Sequence, residues 1–117
     1  MKRILLLLQH LTKLWSDIMA ITQCIIIREN CINTLYTRLS AAKHLGNVAY
    51  KLYTYLEGFP QGESTYDRLK FMKTVETTVP SANKAFEDML EKNYLVKKND
   101  FTYYFFEEPK ESVESFY

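Results

Sequence analysis

The stretch TTVPSANKAFEDMLEKNYLVKKNDFTYYFF, residues 77–106, carries the clearest local folding signals in this sequence. Thr77 or Thr78 can cap a helix, and Pro80 falls in the first turn, where a missing backbone N–H costs nothing. Apolar residues then recur at helical spacing, at Val79, Ala82, Phe86, Met89 and Leu90. The pattern predicts an amphipathic helix with its polar residues facing outward.

A hairpin is predicted immediately after this helix. Asn93 accepts the left-handed conformation that ends many helices. The runs YLVKK, residues 94–98, and TYYFF, residues 102–106, then flank a polar turn, as two short paired strands do. Helix, corner and hairpin together predict the end of a winged helix. The helix from Thr78 takes the recognition position, and residues 97–102 form the wing.

The first 45 residues carry an apolar stripe that advances in alternating steps of three and four. Its members are Ile4, Leu7, Leu11, Leu14, Ile18, Ile21, Ile25, Ile32, Leu35, Leu39 and Ala42. Arg28 interrupts the stripe, where it can set the register of a helix pair or extend to solvent. No Gly or Pro precedes Gly46. The pattern predicts one long N-terminal helix over residues 1–45. Because an exposed apolar row is costly, the stripe predicts a homodimer through this helix, with packing on the same chain as the alternative.

The predicted organisation therefore has three parts. Residues 1–45 form the long helix, residues 46–106 a winged-helix domain, and residues 107–117 an acidic C-terminal tail. Within the domain, a helix between Gly46 and Gly58 precedes a short helix in QGESTYDRLKFMKTV, residues 61–75. The predicted fold class is mostly α with a small β-hairpin: a winged helix-turn-helix preceded by a long N-terminal helix.

The composition of the chain argues against several classes of protein. The chain has 117 residues, 47% hydrophobic residues and a net charge of +1, which fits one packed domain without a strong basic excess. The leucine-rich start is broken by Gln9 and His10, so neither a secretory signal nor a membrane span is predicted, and the location is predicted to be cytoplasmic. Cys24 and Cys31 are interpreted as reduced thiols, too few for a zinc site.

No catalytic set is recognisable, so no enzyme activity, cofactor or metal is predicted. The two histidines, His10 and His44, lie far apart in the sequence, and no phosphate loop or nucleophile motif is present. Glu87, Asp88 and Glu91 have the spacing of a solvated helix face. The aromatic run at 103–106 is interpreted as strand packing, with base stacking as the alternative.

The segment VPSANKAFEDMLEKNYLVKK, residues 79–98, resembles the C-terminal winged helix of Fic-family proteins, which reads roughly s-x-P-T-A-N-K-A-L-x-x-L-x-x-x-G-I-L. The residues that match in register are Pro80, Ala82, Asn83, Lys84, Ala85, Phe86 and Leu90. The resemblance implies a winged helix behind a long helix. The Fic catalytic loop H-P-F-x-x-G-N-G-R has no counterpart, since HLGNVAY at residues 44–50 lacks its Phe, its second Gly and its Arg, so nucleotide transfer is not implied.

The predicted function is a DNA-binding winged-helix module, in a dimeric transcriptional regulator or an autoregulatory module. The predicted partner is double-stranded DNA, contacted through Ser81, Asn83, Lys84, Lys97, Lys98, Arg68, Lys70 and Lys73. The first three would face the major groove, and the remaining cations would hold phosphates. Two alternatives stay open: a protein–protein interaction module on the same scaffold, and a non-catalytic remnant of a Fic-type protein.

Overall fold

The computed structural model of the chain describes residues 22–29 and 35–109. Four helices and a four-stranded mixed sheet give this region an α/β fold. The elements in chain order are β1 (Gln23–Arg28), α1 (Leu35–His44), α2 (Asn47–Glu57), β2 (Gly62–Asp67), α3 (Arg68–Val75), α4 (Val79–Glu91), β3 (Leu95–Asn99) and β4 (Thr102–Phe105). None of these helices is long and apolar enough to cross a membrane.

The predicted fold class, mostly α with a small hairpin in a winged helix-turn-helix, is wrong. Strands hold 25% of the described residues and form one sheet in the order β2-β1-β4-β3, so the hairpin is only half of it. The predicted single long helix over residues 1–45 is also wrong, since of its described residues only 35–44 are helical. Residues 23–28 are a strand, and α1 begins only at Leu35. Residues 1–21 and 30–34 lie outside the described residues.

The strand β1 explains the failure of the long-helix prediction. Its sequence QCIIIR alternates in burial, with Cys24, Ile26 and Arg28 buried and Ile25 exposed. Three consecutive isoleucines satisfy a helical stripe as well as a strand, but β-branched side chains favour the strand. Long-range pairing then decides, because β1 lies antiparallel to β2 and parallel to β4.

One face of the sheet, here named the inner face, packs on the four helices. Its buried side chains are Cys24, Ile26, Tyr66, Leu95, Tyr103 and Phe105. The helices contribute Ala41, Ala49, Leu52, Tyr53, Leu56, Phe71, Ala82, Ala85, Phe86 and Met89 to the same core. Helix α4, with four of these residues, is thereby held between α2 and the sheet.

The helix, corner and hairpin predicted within residues 77–106 are confirmed, although Val79 of the predicted apolar stripe is 37% exposed. The Thr78 side chain caps α4 by accepting from the Ser81 N–H at 3.4 Å, and Pro80 lies in the first turn. Asn93 adopts a φ of 65°, and β3 pairs antiparallel with β4. The predicted helix in residues 61–75 is only partly right. Its first half is the edge strand β2, and Asp67 caps α3 by accepting from Leu69 N–H at 2.9 Å.

A buried arginine joins the sheet to the end of α2. Nη1 of Arg28 donates to the backbone carbonyls of Glu57 and Phe59 at 2.5 and 2.6 Å, which lie at the C-terminal end of α2. Its Nη2 forms an ion pair with Glu107, and its guanidinium lies 5.4 Å from the centre of the Phe105 ring. The expectation that Arg28 reaches to solvent or sets a dimer register is therefore replaced by a role in the core.

Candidate nucleic-acid interface

Helices α3 and α4 follow each other through a turn of three residues, 76–78. Glu76 ends α3 in the left-handed conformation with a φ of 52°, and Thr78 begins α4. The tight turn fixes the two helices side by side. Phe71 of α3 and Phe86 of α4 are buried in the common core. The opposite sides of both helices, named their outer sides here, therefore face solvent.

Four cations lie on these two helices, and we name them the basic surface: Arg68, Lys70, Lys73 and Lys84. The three lysines are exposed and Arg68 is half-buried. Within the described part of the chain, none of the four takes part in a salt bridge. Their charge is thus available to an anionic partner.

Asp67 is the acid that caps α3 beside this surface. Desolvation acts to raise the pKa of Asp67, but hydrogen bonds from Gln23 and from the backbone of Leu69, together with the charge of Lys70, lower it below its ordinary value. The carboxylate is therefore ionised at neutral pH and stabilises the N-terminus of α3. It offsets part of the charge of Lys70.

The three residues predicted to contact bases differ in how exposed their side chains are. Lys84 is exposed, as predicted. Asn83 is half-buried, and its Oδ1 accepts from Nη1 of Arg68 at 2.9 Å, so its side chain fastens α4 to α3. Ser81 is half-buried and lies 3.1 Å from the Thr78 hydroxyl in the first turn of α4. Lys84 is thus the most accessible of the three.

The acidic residues of α4 lie toward its C-terminal end. Asp88 pairs with Lys92 at 3.0 Å and accepts from the Gly46 N–H at 3.2 Å, so it is turned toward the start of α2. Glu87 and Glu91 are exposed on the same side of α4 as Lys84. They lie about 4.5 and 10 Å further along the helix axis than Lys84. The outer side of α4 is therefore basic in its first half and acidic in its second.

A groove of about 550 Å³ separates the start of α2 from the outer side of α4. It is lined by Gly46, Asn47, Val48, Ala49, Ser81, Lys84, Ala85, Glu87, Asp88, Glu91 and Lys92. Two lysines and three carboxylates share this lining, so the groove has no single sign of charge that would select a phosphate. Lys84 is one of the exposed side chains of this lining.

The two lysines of the predicted wing lie on opposite faces of the sheet, because Lys97 is paired with Tyr103 of the inner face and Lys98 lies over the ring of Tyr104, which points the other way. Lys97 pairs with Asp100 at 3.4 Å, and the two side chains are 54% and 84% exposed, so the pair contributes little and leaves Lys97 accessible. Nζ of Lys98 lies 5.7 Å from the centre of the Tyr104 ring. Tyr104 lies on the face opposite to α4, so Lys98 is separated from the basic surface.

Two features were missed by the sequence reading. One is the buried pair of Arg28 and Glu107, whose members are 79 positions apart and leave no spacing signal. The other is the exposed apolar side of α1, formed by Leu35, Tyr36 and Leu39. The heptad stripe contained two of these three residues, but it assigned them to a single long helix rather than to a separate short one.

The described residues offer little for covalent or metal chemistry. Burial raises the pKa of the Cys24 thiol to about 12, so the thiolate nucleophile is scarcely populated at neutral pH. Within residues 22–29 and 35–109, no group of three His, Cys, Asp or Glu side chains is arranged to hold a metal ion. Cys31 lies outside the described residues.

Comparison with known proteins identifies no relative of this chain. No family model, no curated protein and no solved structure matches the chain. The resemblance of residues 79–98 to the Fic family stays a prediction. The functional argument accordingly depends on the placement and charge of the residues themselves.

Proposed function

We propose that this chain binds double-stranded DNA in the cytoplasm through the basic surface of α3 and the first half of α4. The observation that carries the proposal is the separation of charge along these helices. Arg68, Lys70, Lys73 and Lys84 have no salt bridge within the described residues, and α4 has no carboxylate before Glu87. Cations outside salt bridges are what a phosphate backbone neutralises.

We propose that the N-terminal end of α4 approaches the major groove. In this proposal Lys84 contacts bases, and Lys70 and Lys73 contact phosphates. The hydrogen bond from Arg68 to Asn83 fixes the angle between the two helices at the point where the groove would be entered.

The acidic half of α4 limits how deeply the helix can enter. Glu87 and Glu91 would repel phosphates if α4 lay along the groove, so the helix is proposed to enter by its N-terminal end. With a net charge of only +1, the protein lacks a long-range field, and binding should be modest and strongly dependent on salt. The regulatory role and the dimeric state remain predictions.

The proposal is tested by fluorescence anisotropy with a labelled random duplex over a range of salt concentrations. Lys73→Ala combined with Lys84→Ala should weaken binding and lower the slope of log K against log salt by about 1, since the phosphate contact of Lys73 is lost, while the loss of Lys84 removes a contact to bases. The matched control is Lys43→Ala combined with Lys51→Ala, which removes two exposed lysines from α1 and α2.

The control should leave the salt slope unchanged. An equal loss in both double variants would show binding by overall charge alone, against the proposed surface. No binding of the unaltered protein at low salt would reject DNA binding outright.

The alternative is a protein–protein interaction module, and one observation favours it. Leu35, Tyr36 and Leu39 expose large apolar side chains on one side of α1. Contiguous apolar surface on a small domain is typical of a site where another protein packs. The anisotropy experiment separates the two functions, because an α1 interface predicts no affinity for duplex DNA.

A further inference from the structure

Helix α1 packs on the fold through small residues and exposes its large ones. Its buried residues, Thr37 and Ala41, are 1% and 0% exposed and offer little apolar surface. Leu35, Tyr36 and Leu39, in contrast, are 72%, 75% and 54% exposed. An amphipathic helix that packs only on its own domain has the opposite arrangement, with its large apolar side chains toward the core. The outward side of α1 is therefore a candidate binding surface.

The exposed apolar residues of α1 have heptad spacing. Leu35, Leu39 and Ala42 follow one another at steps of four and three, which places them in one narrow row along the helix, here named the α1 seam. With about 3.6 residues per turn, this row lies on the side of α1 away from Thr37 and Ala41. A narrow seam of this kind is what a second helix contacts, whereas a helix that lies on a lipid surface has a broader apolar face.

Cations flank the α1 seam on both sides. With Leu39 at position a of the heptad, Arg38 takes position g and Lys43 position e. Both are exposed, and α1 has no acidic residue. Arg38 pairs through Nε with Glu57 at 2.8 Å, which holds it beside the seam and offsets part of its charge. Lys43 takes part in no salt bridge within the described residues, so it provides most of the charge beside the seam.

These charges argue against pairing of α1 with the same helix of a second copy. In a parallel pair, a g residue faces the e residue five positions further along the other helix, so Arg38 would face Lys43. In an antiparallel pair, g faces g and e faces e. Either orientation brings like charges together, which disfavours the pair. A helix with carboxylates at the flanking positions would turn each repulsion into an attraction.

We propose that α1 binds an acidic amphipathic helix of another protein. The apolar row of that helix contacts the α1 seam, and its flanking carboxylates contact Arg38 and Lys43. Because α1 is already folded on α2, only the partner has to become ordered on binding. The basic surface belongs to α3 and α4, so this inference does not depend on DNA binding.

Two labelled peptides of three heptads test the proposal by fluorescence anisotropy with the full-length protein. Both carry leucine at a and d, and one has glutamate and the other lysine at e and g, so neither pairs strongly with itself. The glutamate peptide should bind and the lysine peptide should not. Leu39→Asn should weaken binding about tenfold or more, because it places a polar side chain in the seam. Leu69→Asn is the matched control, since this leucine of α3 is 56% exposed, and it should leave binding unchanged.

A charge exchange protects the test against misfolding. Lys43→Glu should weaken binding of the glutamate peptide and strengthen binding of the lysine peptide, a reversal that a misfolded protein does not produce. Lys73→Glu, which alters an exposed lysine of α3, is the matched control and should cause no reversal.

Three results would overturn the proposal. The first is no binding of the glutamate peptide, or equal binding of both peptides. The second is self-association in sedimentation that Leu39→Asn abolishes, which would assign the α1 seam to a second copy. The third is binding to vesicles of phosphatidylcholine and phosphatidylserine in place of the glutamate peptide, lost in Leu39→Asn, which would assign the seam to a membrane surface.

Discussion

Glu107→Ala is expected to lower the free energy of unfolding by about 3–5 kcal/mol, since it leaves the guanidinium of Arg28 buried without its counter-ion. Arg28 is 2% exposed and Glu107 4% exposed, so water cannot replace the missing carboxylate. The same arginine holds the carbonyls of Glu57 and Phe59 at the end of α2. Losing its partner should therefore loosen the junction of β1, α2 and the segment after β4. Urea unfolding followed by circular dichroism measures the effect.

Two controls distinguish the contribution of the buried ion pair to stability from that of an exposed ion pair. Asp100→Ala removes the partner of Lys97 in a pair that is largely exposed, and it should cost no more than about 1 kcal/mol. Arg28→Met combined with Glu107→Leu removes both buried charges at once and should recover much of the loss. If Glu107→Ala proves as mild as Asp100→Ala, the buried pair does not have the role assigned to it.

Phe86→Ala is expected to cost about 3–5 kcal/mol, because it leaves a cavity between α4 and the sheet. The Phe86 ring lies 5.7 Å from the ring of Tyr66 on β2 and 5.1 Å from that of Tyr103 on β4. It is thus the main aromatic contact between α4 and the sheet. The loss should appear as a lower urea midpoint with a similar slope.

Phe101→Ala is the matched control for this substitution. Phe101 lies in the turn between β3 and β4 and is 72% exposed, so its removal should change stability by less than about 0.5 kcal/mol. Similar costs for the two substitutions would contradict the proposed packing of α4. Phe86→Ala also matters for function, since Lys84 is presented by the helix that Phe86 anchors.

The helix and hairpin of residues 77–106 could be predicted because their signals are local. A threonine cap, a first-turn proline and an apolar spacing of three and four define α4 within about one turn of its true ends. Asn93 supplies the corner, and the aromatic run after it supplies a strand. Each of these preferences acts between residues close in sequence, so no knowledge of the rest of the fold was needed.

The other half of the sheet could not be predicted in this way. The strand β2, GESTYD, is polar and has one buried residue, Tyr66, so no alternation of apolar residues marks it. It pairs with β1 across about forty positions, as in Cys24 with Tyr66. The spacing of Ile25, Ile26 and Ile27 fits a helical stripe as well as a strand, and although their β-branched side chains favour the strand, the pairing with β2 decides.

In the candidate site, too, only the features set by nearby residues could be predicted from the sequence. A helical wheel is enough to predict that Lys84 is exposed and that Phe86 is buried. The bond from Arg68 to Asn83 needs the angle between α3 and α4, which the sequence does not contain. The placement of Lys97 and Lys98 on opposite sides of the sheet needs the register of β3 on β4, which is irregular between Lys97 and Asn99.

The central claim is that duplex DNA contacts α3 and the first half of α4. A titration that follows the amide chemical shifts tests this claim most directly. Adding a short duplex to the ¹⁵N-labelled full-length protein at low salt should move the amide signals of Leu69–Lys73 and Val79–Lys84. Signals from α1 and from β1 should stay in place. Shifts confined to α1, or no shifts at all at saturating duplex, would contradict the account.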